Sequence, residues 1–271
     1  MTIGVIGCGL IGGSVGLACR GNGHRVMGFE PNASSAKTAL DRGCVDEFLT
    51  LQEVAQCDVS FVCVPPGAIE TVLGDVLKAK PDHASVTDCA SVKGSVVKWL
   101  EGRRDKTFVP GHPMAGHEKS GPLYSSAWMF RGAKWILTPC SFTASSSIKA
   151  VENLVKEMGA TPVRIKAERH DRDVALLSHL PHALAAVLVR MSAELDSTDA
   201  SAGSWKDLTR VGGVDPGLWT QILLSNRVEV SRILKEFGEN LDVLQTALDE
   251  GNEPAVRQFF DEAKKQKESG R

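Results

Sequence analysis

The sequence lacks the features that mark several large classes of protein. Its formal net charge is only −2, from 31 basic and 33 acidic residues, and it contains no long run of like charge. It therefore offers no basic surface for nucleic acid and no charged tail of the disordered kind. The first residues lead directly into TIGVIGCG, without a positively charged leader or a long apolar segment. We therefore expect neither a signal peptide nor a membrane span.

Cysteine is present, but not in a metal-binding or disulfide pattern. The seven cysteines are odd in number and include no C-x-x-C pair. Most lie in apolar runs such as SFVCVPP and VIGCGLIGG. This pattern indicates reduced thiols in the core of a cytoplasmic protein and argues against a metal site or a disulfide framework. Small, soluble molecules are then the expected partners.

The chain has 271 residues, of which 42% are hydrophobic, and this length suits two domains. Strand-like and helix-like stretches alternate in the first half. Strands are predicted at 2–6, 24–29, 59–64, 84–87, 108–109 and 134–138, with helices at 14–21, 34–42 and 148–158. The run 59–64 is almost continuously apolar, which is typical of a strand buried on both faces. The alternation predicts an α/β fold with a Rossmann-type, doubly wound parallel sheet.

The second half of the sequence has a different character. From residue 167 the pattern is helical almost to the end, with an interruption at the glycine-rich stretch 203–216. Residues 218–248 carry apolar side chains at helical spacing. Such a long apolar face predicts an all-helical domain that also forms a homodimer. We place the sheet domain at residues 1–160 and the helical substrate-binding and dimerisation domain at residues 161–271.

The loop after the first strand carries the pattern G-x-G-x-x-G at Gly7, Gly9 and Gly12. The first glycine permits a tight turn, the second lets a pyrophosphate approach the backbone, and the third lets helix and strand pack closely. Glu30 ends the next strand, where its carboxylate can accept both ribose hydroxyls and would repel a 2′-phosphate. The motif predicts a dinucleotide-binding domain, with NAD favoured over NADP and a glycine turn without nucleotide as the alternative. The other predicted cofactor contacts are Leu10, Ile11, Val64, Pro65 and Ser91.

Two polar residues follow predicted strands, at the edge where such a sheet binds ligands. Ser91 comes after the strand 84–87, and a serine in that position is commonly a turn or helix-capping residue. His112 lies between Gly111 and Pro113, where few local structural needs would call for histidine. An imidazole can accept a proton near neutral pH, as a general base must. His112 is therefore the candidate base.

Five motifs resemble those of the prephenate and arogenate dehydrogenases, the enzymes of tyrosine biosynthesis. They are VIGCGLIGGSVG, TDCASVK, GHPMAGHEKSG, LLSHLPHALA and LTRVGGVDPGLW, and they occur in that family's order across most of the chain. The resemblance implies an oxidative decarboxylation of a cyclohexadienol. Hydride leaves C4 for the nicotinamide, a base takes the 4-hydroxyl proton, carbon dioxide departs and the ring becomes aromatic. Prephenate is the favoured substrate, and arogenate, or both, the alternative.

The resemblance also implies roles for individual residues. His112 would be the base bonded to the 4-hydroxyl, and Ser91 would bond the same hydroxyl and orient the imidazole. Arg210 matches the arginine that binds the substrate's side-chain carboxylate, and Glu118 matches a glutamate that helps to close the site. These roles remain expectations until the site geometry is known.

Two further histidines, His179 and His182, lie three residues apart on a predicted helix. Pro181 between them lacks a backbone donor and should distort that helix. The resemblance implies that both contact substrate or nicotinamide, without deciding between the two. No third ligand follows at helical spacing, so no metal site is predicted. The remaining alternatives are a reductase of the same architecture acting on another small acid, and a non-catalytic NAD-binding sensor.

Overall fold

The computed structural model describes residues 1–270, and its first half contains a six-stranded parallel sheet. The strands are β1 (Thr2–Ile6), β2 (Arg25–Phe29), β3 (Glu47–Phe48), β4 (Val59–Val62), β5 (Ser85–Asp88) and β6 (Phe108–Val109). The helices between them are α1 (Leu10–Gly21), α2 (Ala33–Asp41), α3 (Leu51–Val54), α4 (Ile69–Ala79) and α5 (Gly94–Glu101). The strand order is β3-β2-β1-β4-β5-β6. This is the Rossmann-type order, so the predicted doubly wound sheet is confirmed.

Both faces of the sheet are covered by apolar side chains. Val5 of β1 belongs to one buried cluster, and its neighbour Ile6 belongs to another. Phe61 and Val62 of β4 divide between the same two clusters. Because side chains alternate between the faces of a strand, a sheet covered on both sides needs nearly continuous apolar strands. The order of the chain reverses between β1 and β4, and a crevice for ligands is expected at their carboxyl ends.

A second, three-stranded sheet follows the first. It consists of β7 (Gly111–Pro113), β8 (Lys134–Leu137) and β9 (Thr161–Arg164), with α6 (Ser145–Glu157) before β9. β7 is antiparallel to β8 and places His112 opposite Ile136, whereas β9 is parallel to β8. Of these strands the sequence predicted only β8. β9 reads TPVR, with both ends exposed, so it has no apolar run to distinguish it from a loop.

Helix α1 begins at Leu10, four residues before the predicted start at residue 14. Gly9 has an extended conformation, with φ of −72° and ψ of −155°, and is the N-cap residue. The last residues of the glycine motif therefore already belong to the helix. Periodicity did not show this because Gly12 and Gly13 are weak helix formers.

The helical part of the chain begins after β9. It contains α7 (Ala167–Val174), a π-helical turn (Ala175–His179), α8 (Leu180–Met191), α9 (Gly203–Thr209) and α10 (Pro216–Ser225). The interruption predicted at 203–216 is wrong for its first half, which forms α9. Only the first of those seven residues is glycine, and the rest of the segment, SWKDLT, contains no helix breaker.

The stretch predicted to be one long helix, 218–248, is divided at Asn226. α10 ends at Ser225, and α11 (Arg227–Asp249) and α12 (Glu253–Glu268) belong to a separate compact unit that begins at Arg227. The buried Asn226 side chain donates a hydrogen bond to the Asp171 carbonyl oxygen at 2.8 Å. This tertiary bond accompanies the break, which helical periodicity does not reveal.

All seven cysteines are free thiols in buried or half-buried positions. Burial raises the pKa of Cys19 to about 12 and that of Cys57 to about 11. Both thiols are therefore protonated at neutral pH and are poor nucleophiles.

One helical run, Ala167–Glu194, is long and apolar enough by length and composition to cross a membrane. An 18-residue window within it has a mean hydropathy of 1.5 and is 28% buried. The expectation of no membrane span was drawn from the first residues and did not anticipate this run in the helical half. Its first turns carry Asp171, whose carboxylate accepts hydrogen bonds from the backbone at the start of α5. These bonds attach the beginning of the run Ala167–Glu194 to the N-terminus of α5.

Candidate active site

A cleft of about 710 Å³ opens beyond the carboxyl ends of β1, β2, β4 and β5. This volume is within the range of small-ligand sites. The predicted cofactor residues that line it are Gly7, Gly9, Leu10, Ile11, Glu30, Val64, Pro65 and Ser91. The opposite wall is formed by residues 117–121 and by the start of α10, including Trp219 and Gln221. The helical part of the chain therefore helps to enclose the cleft.

Two of the three motif glycines occupy positions that need glycine, and the third leaves the backbone open. Gly7 has a φ of +88°, which other residues rarely adopt. A Cβ on Gly12 would lie 1.9 Å from the Gly7 carbonyl oxygen, whereas a Cβ on Gly9 would meet no atom within 4 Å. The backbone at Gly9 is thus open to the cleft, and no side chain caps the N-terminus of α1. The N–H groups of the first turn can therefore bind an anion such as a pyrophosphate.

Glu30 lies at the rim of the cleft and is held in place by the backbone. Its carboxylate accepts hydrogen bonds from the N–H groups of Cys8 and Asn32, both at 2.9 Å. Carboxylate oxygens have several lone pairs, so these two bonds leave acceptor capacity for ribose hydroxyls. The geometry suits the predicted adenosine contact.

His112, on β7, is partly buried and is surrounded by positive or potentially positive groups. Burial, and after it the positive charge of the nearby Lys93, lowers the pKa of His112 well below its ordinary value. The imidazole is therefore neutral at pH 7 and keeps a lone pair for a proton.

A hydrogen-bonded chain of side chains extends from His112 into the protein. His112 Nδ1 lies 2.8 Å from His170 Nε2, and His170 Nδ1 lies 2.7 Å from Asp171 Oδ1. His170 is only 1% exposed. His170 and Asp171 could not be found from the sequence, because they lie 58 residues or more from His112 and match no local motif. The only signal was an adjacent histidine and aspartate at the start of the helical part.

A buried ion pair between Lys93 and Asp88 holds the backbone of β7 in place. Lys93 and Asp88 have fully buried side chains and are paired with each other. Lys93 Nζ also donates to the Gly111 carbonyl oxygen at 2.6 Å, and Asp88 Oδ1 accepts from the Gly111 N–H at 3.0 Å. The backbone of Gly111, beside His112, is thereby tied to the end of β5 and to the start of α5. Asp88 and Lys93 belong to the quoted motif TDCASVK, from which only Ser91 was selected as a site residue.

Ser91 lies in the cleft beyond β5. In the described part of the chain, its hydroxyl makes no hydrogen bond to His112, whose Nδ1 is instead bonded to His170. The orientation of the imidazole is thus supplied by His170 in this structure. Contact between Ser91 and a substrate hydroxyl stays a prediction.

His179 and His182 are brought together with Trp219. The His182 ring stacks on the indole at a centroid distance of 3.7 Å, and the His179 ring meets it edge-on at 6.2 Å. His179 lies at the end of the π-helical turn that precedes Pro181. The predicted distortion of this helix is confirmed.

Both of these histidines are neutral at pH 7. Burial lowers the pKa of His179 to about 4 and also lowers that of His182, with a smaller contribution from the Arg210 charge. The His182 Nδ1–H donates to the Ser178 carbonyl oxygen at 2.8 Å, which leaves Nε2 as an acceptor. The Asn226 side-chain amide donates to His179 Nδ1 at 3.3 Å, so the hydrogen of His179 is on Nε2.

Arg210 and Glu118 are both exposed, at the end of α9 and in the loop 117–121. Arg210 has no carboxylate within ion-pair distance among residues 1–270, and its charge acts on His182. Glu118 lines the cleft beside His117, which stacks on Tyr124 at a centroid distance of 5.9 Å. An unpaired guanidinium near neutral histidines can receive a substrate carboxylate.

Comparison with known proteins identifies the family. The model described as "Prephenate dehydrogenase, nucleotide-binding domain" matches residues 15–164, and "Prephenate dehydrogenase, dimerization domain" matches residues 166–262. The chain belongs to the prephenate dehydrogenase family. The predicted resemblance is thereby confirmed, as is the prediction of an oxidoreductase.

Individual members of the prephenate dehydrogenase family are similar over nearly the whole chain. Prephenate dehydrogenase of Bacillus subtilis is 30% identical over 275 residues, which cover 97% of this chain and 74% of that protein. The crystal structure of prephenate dehydrogenase from A. aeolicus with hydroxyphenyl propionate and NAD+ is 30% identical, with a TM-score of 0.91 and coverage of 100% and 98%. Synechocystis arogenate dehydrogenase is 27% identical, with a TM-score of 0.84 and full coverage of both chains.

Proposed function

We propose that this chain catalyses the NAD-dependent oxidative decarboxylation of prephenate to 4-hydroxyphenylpyruvate in tyrosine biosynthesis. The observation that carries the proposal is His112, a neutral imidazole with its Nδ1 already bonded, next to Gly111, whose N–H is bonded to Asp88 at the end of β5, in a chain of this family. The alternative is arogenate, or both substrates, since the two differ only in a keto or amino group on the side chain.

The cleft fits NAD at both ends of the adenosine diphosphate. The open backbone at Gly9 and the uncapped start of α1 suit the pyrophosphate, and Glu30 suits two free ribose hydroxyls. A 2′-phosphate would meet the Glu30 carboxylate as a like charge, so NADP is disfavoured. When bound, NAD supplies the hydride acceptor. The NAD+ in the A. aeolicus structure supports the same choice.

His112 would act on the 4-hydroxyl of the substrate. Its free nitrogen, Nε2, takes the hydroxyl proton as C4 is oxidised to a carbonyl carbon. When carbon dioxide departs, the electron pair of the broken bond aromatises the ring and leaves negative charge on the same oxygen. That oxygen then regains the proton, so the reaction releases no net proton. His112 therefore serves first as a base and then as an acid, and its low pKa favours the return of the proton.

The other site residues would bind and orient the substrate. Arg210 would hold the side-chain carboxylate, and His179 and His182 would contact substrate or nicotinamide from the Trp219 side. Ser91 would bond the 4-hydroxyl, and Glu118 would help to close the cleft from its loop. These groups supply geometry, which is the main requirement of a reaction driven by aromatisation.

We assign residues 1–160 to dinucleotide binding and residues 161–271 to substrate binding and dimerisation. The family model that matches residues 166–262 is described as a dimerization domain. Within the unit that begins at Arg227, several large apolar side chains are exposed, which favours a homodimer through the C-terminal helices. They include Val228, Leu241, Val243, Leu248 and Phe260. The chain is proposed to work in the cytoplasm on a small-molecule substrate, without nucleic acid, membrane or metal.

The first experiment is to measure initial rates with prephenate and with arogenate, each combined with NAD and with NADP. We expect the highest rate with prephenate and NAD. A higher rate with arogenate would reverse the substrate assignment, and preference for NADP would show that Glu30 does not face the ribose. No rate in any combination would refute the proposed activity and favour a sensor or another reductase.

Replacement of Arg210 with Lys should raise KM for prephenate about 10-fold while changing kcat much less. A guanidinium binds two carboxylate oxygens at once, whereas an ammonium group cannot match that geometry. Steady-state kinetics at saturating NAD measure both constants. Arg190→Lys, at another exposed arginine of the helical part, is the control and should leave KM unchanged. An unchanged KM in Arg210→Lys would contradict the assignment.

A further inference from the structure

Beyond the base itself, the structure shows a second histidine and a carboxylate behind His112. The contacts are His112 Nδ1 to His170 Nε2 at 2.8 Å and His170 Nδ1 to Asp171 Oδ1 at 2.7 Å. The two imidazole rings are nearly perpendicular, at 78°, with centroids 5.1 Å apart. His170 is buried, and both of its ring nitrogens are bonded within the protein, to His112 and to Asp171. It therefore has no free polar atom for a substrate and can act on the reaction through its bond to His112.

We propose that His170, oriented by Asp171, is a positioning residue that keeps the hydrogen of His112 on Nδ1 and leaves Nε2 free to accept the substrate proton. This inference rests on the proposed role of His112 as the base. It assigns to two buried residues a function that neither the sequence motifs nor the cleft itself indicates.

The direction of each hydrogen bond follows from the Asp171 carboxylate, which can only accept. His170 must therefore donate from Nδ1, and a neutral His170 then has its lone pair on Nε2. His112 must donate from Nδ1 to that lone pair, and its own lone pair is left on Nε2. One buried charge thus determines the tautomers of both rings.

The Asp171 carboxylate is itself held in place by the backbone. It accepts hydrogen bonds from the N–H groups of Lys93, at 2.8 Å, and Gly94, at 2.7 Å. These groups are at the N-terminus of α5, where the helix dipole stabilises a negative charge. The carboxylate that orients His170 is therefore fixed by contacts other than the one to His170.

The arrangement also accounts for how His112 holds the proton between the two halves of the reaction. When Nε2 is protonated, Nδ1 still donates to His170, so the ring does not turn away. The positive charge on His112 strengthens its hydrogen bond to His170 and, through that ring, the hydrogen bond from His170 to Asp171. The proton remains on Nε2, facing the oxygen to which it returns.

Two substitutions of His170 separate positioning from packing. His170→Leu replaces the ring with an apolar side chain, and His170→Gln keeps an amide oxygen that can accept from His112 Nδ1. We expect kcat to fall about 100-fold in the Leu variant, as part of the general-base contribution is lost, and to recover to within about 10-fold of the unsubstituted protein in the Gln variant. KM for prephenate should change less than about threefold in both, because position 170 is buried and offers the substrate no contact. Equal losses in kcat, or no loss in either, would overturn the proposal.

The tautomer itself can be observed without turnover. In the full-length protein with ¹⁵N-labelled histidine, long-range ¹H–¹⁵N correlations show which ring nitrogen carries a hydrogen, and His112→Asn identifies the signals of His112. We expect the hydrogen on Nδ1 of His112, and its transfer to Nε2, the usual preference of a free ring, in His170→Leu. A hydrogen on Nε2 of His112 in the unsubstituted protein would overturn the proposal.

An internal control is provided by His24, whose Nε2 lies 2.8 Å from Glu157 Oε2. A carboxylate accepts, so His24 should carry a hydrogen on Nε2 in every variant. The spectra also distinguish this proposal from the proposed function. Absence of turnover in the unsubstituted protein would refute the function, and normal turnover in His112→Asn would refute the role of His112 as the base, whereas the tautomer of His112 is read independently of any rate.

Discussion

Replacement of His112 with Asn is expected to lower kcat by roughly two to four orders of magnitude, the contribution typical of a general base. The asparagine amide can still donate to His170, so the surrounding hydrogen bonds are retained. It cannot accept a proton at the position of Nε2. KM for prephenate should therefore stay close to that of the unsubstituted protein. Steady-state rates of NADH formation, with binding checked by fluorescence quenching, measure both effects.

The control for this substitution is His83→Asn, at an exposed histidine in the loop before β5. This loop is at the end of β5 opposite to the cleft. It should leave both constants unchanged. The pH dependence of the unsubstituted protein is a second check. Because the pKa of His112 is lowered, it stays neutral and active as pH falls through the usual histidine range near 6.5, and kcat/KM should fall only at lower pH. A nearly normal kcat in His112→Asn would remove His112 from the mechanism.

Replacement of Lys93 with Met is expected to lower the free energy of unfolding by about 3–5 kcal/mol, since it leaves the fully buried Asp88 carboxylate without its partner. It also removes the bond from Lys93 to the Gly111 carbonyl oxygen, which supports β7. Urea unfolding followed by circular dichroism measures the change. We expect a fall in kcat as well, because the backbone beside His112 is released.

Two further variants test whether the cause is the unpaired charge. Lys78→Met, at an exposed lysine of α4, should change stability by less than about 0.5 kcal/mol. The double variant Lys93→Met/Asp88→Asn removes both charges and should be more stable than Lys93→Met alone. A double variant with additive losses would show that the ion pair is not the source of the effect.

The parts of the site that could be predicted from sequence are those governed by contacts close along the chain. The turn at the glycine motif could be predicted because Gly7 has a positive φ and Gly12 packs against Gly7 itself. Glu30 could be placed because it ends the next strand. The distortion at Pro181 followed from a missing backbone donor, and it appears as a π-helical turn.

The parts that could not be predicted depend on residues far apart in sequence. His112 and His170 are 58 residues apart, and Lys93 and Asp171 are 78 apart. No periodicity or spacing relates such positions. β9 was missed because its four residues have no apolar pattern, and the helix break at Asn226 was missed because it coincides with a hydrogen bond to the distant Asp171, which periodicity does not reveal.

The sequence by itself determined the Rossmann-type sheet, the nucleotide loop and the family, because hydrophobic alternation and glycine conformation act over a few residues. Only the tertiary structure decided which groups surround the base. It placed His170 and Asp171 behind His112, paired Lys93 with Asp88 beneath β7, and stacked His182 on Trp219. The physical reason is that a buried hydrogen bond or ion pair depends on how whole elements pack, and packing brings together side chains whose positions in the chain are unrelated.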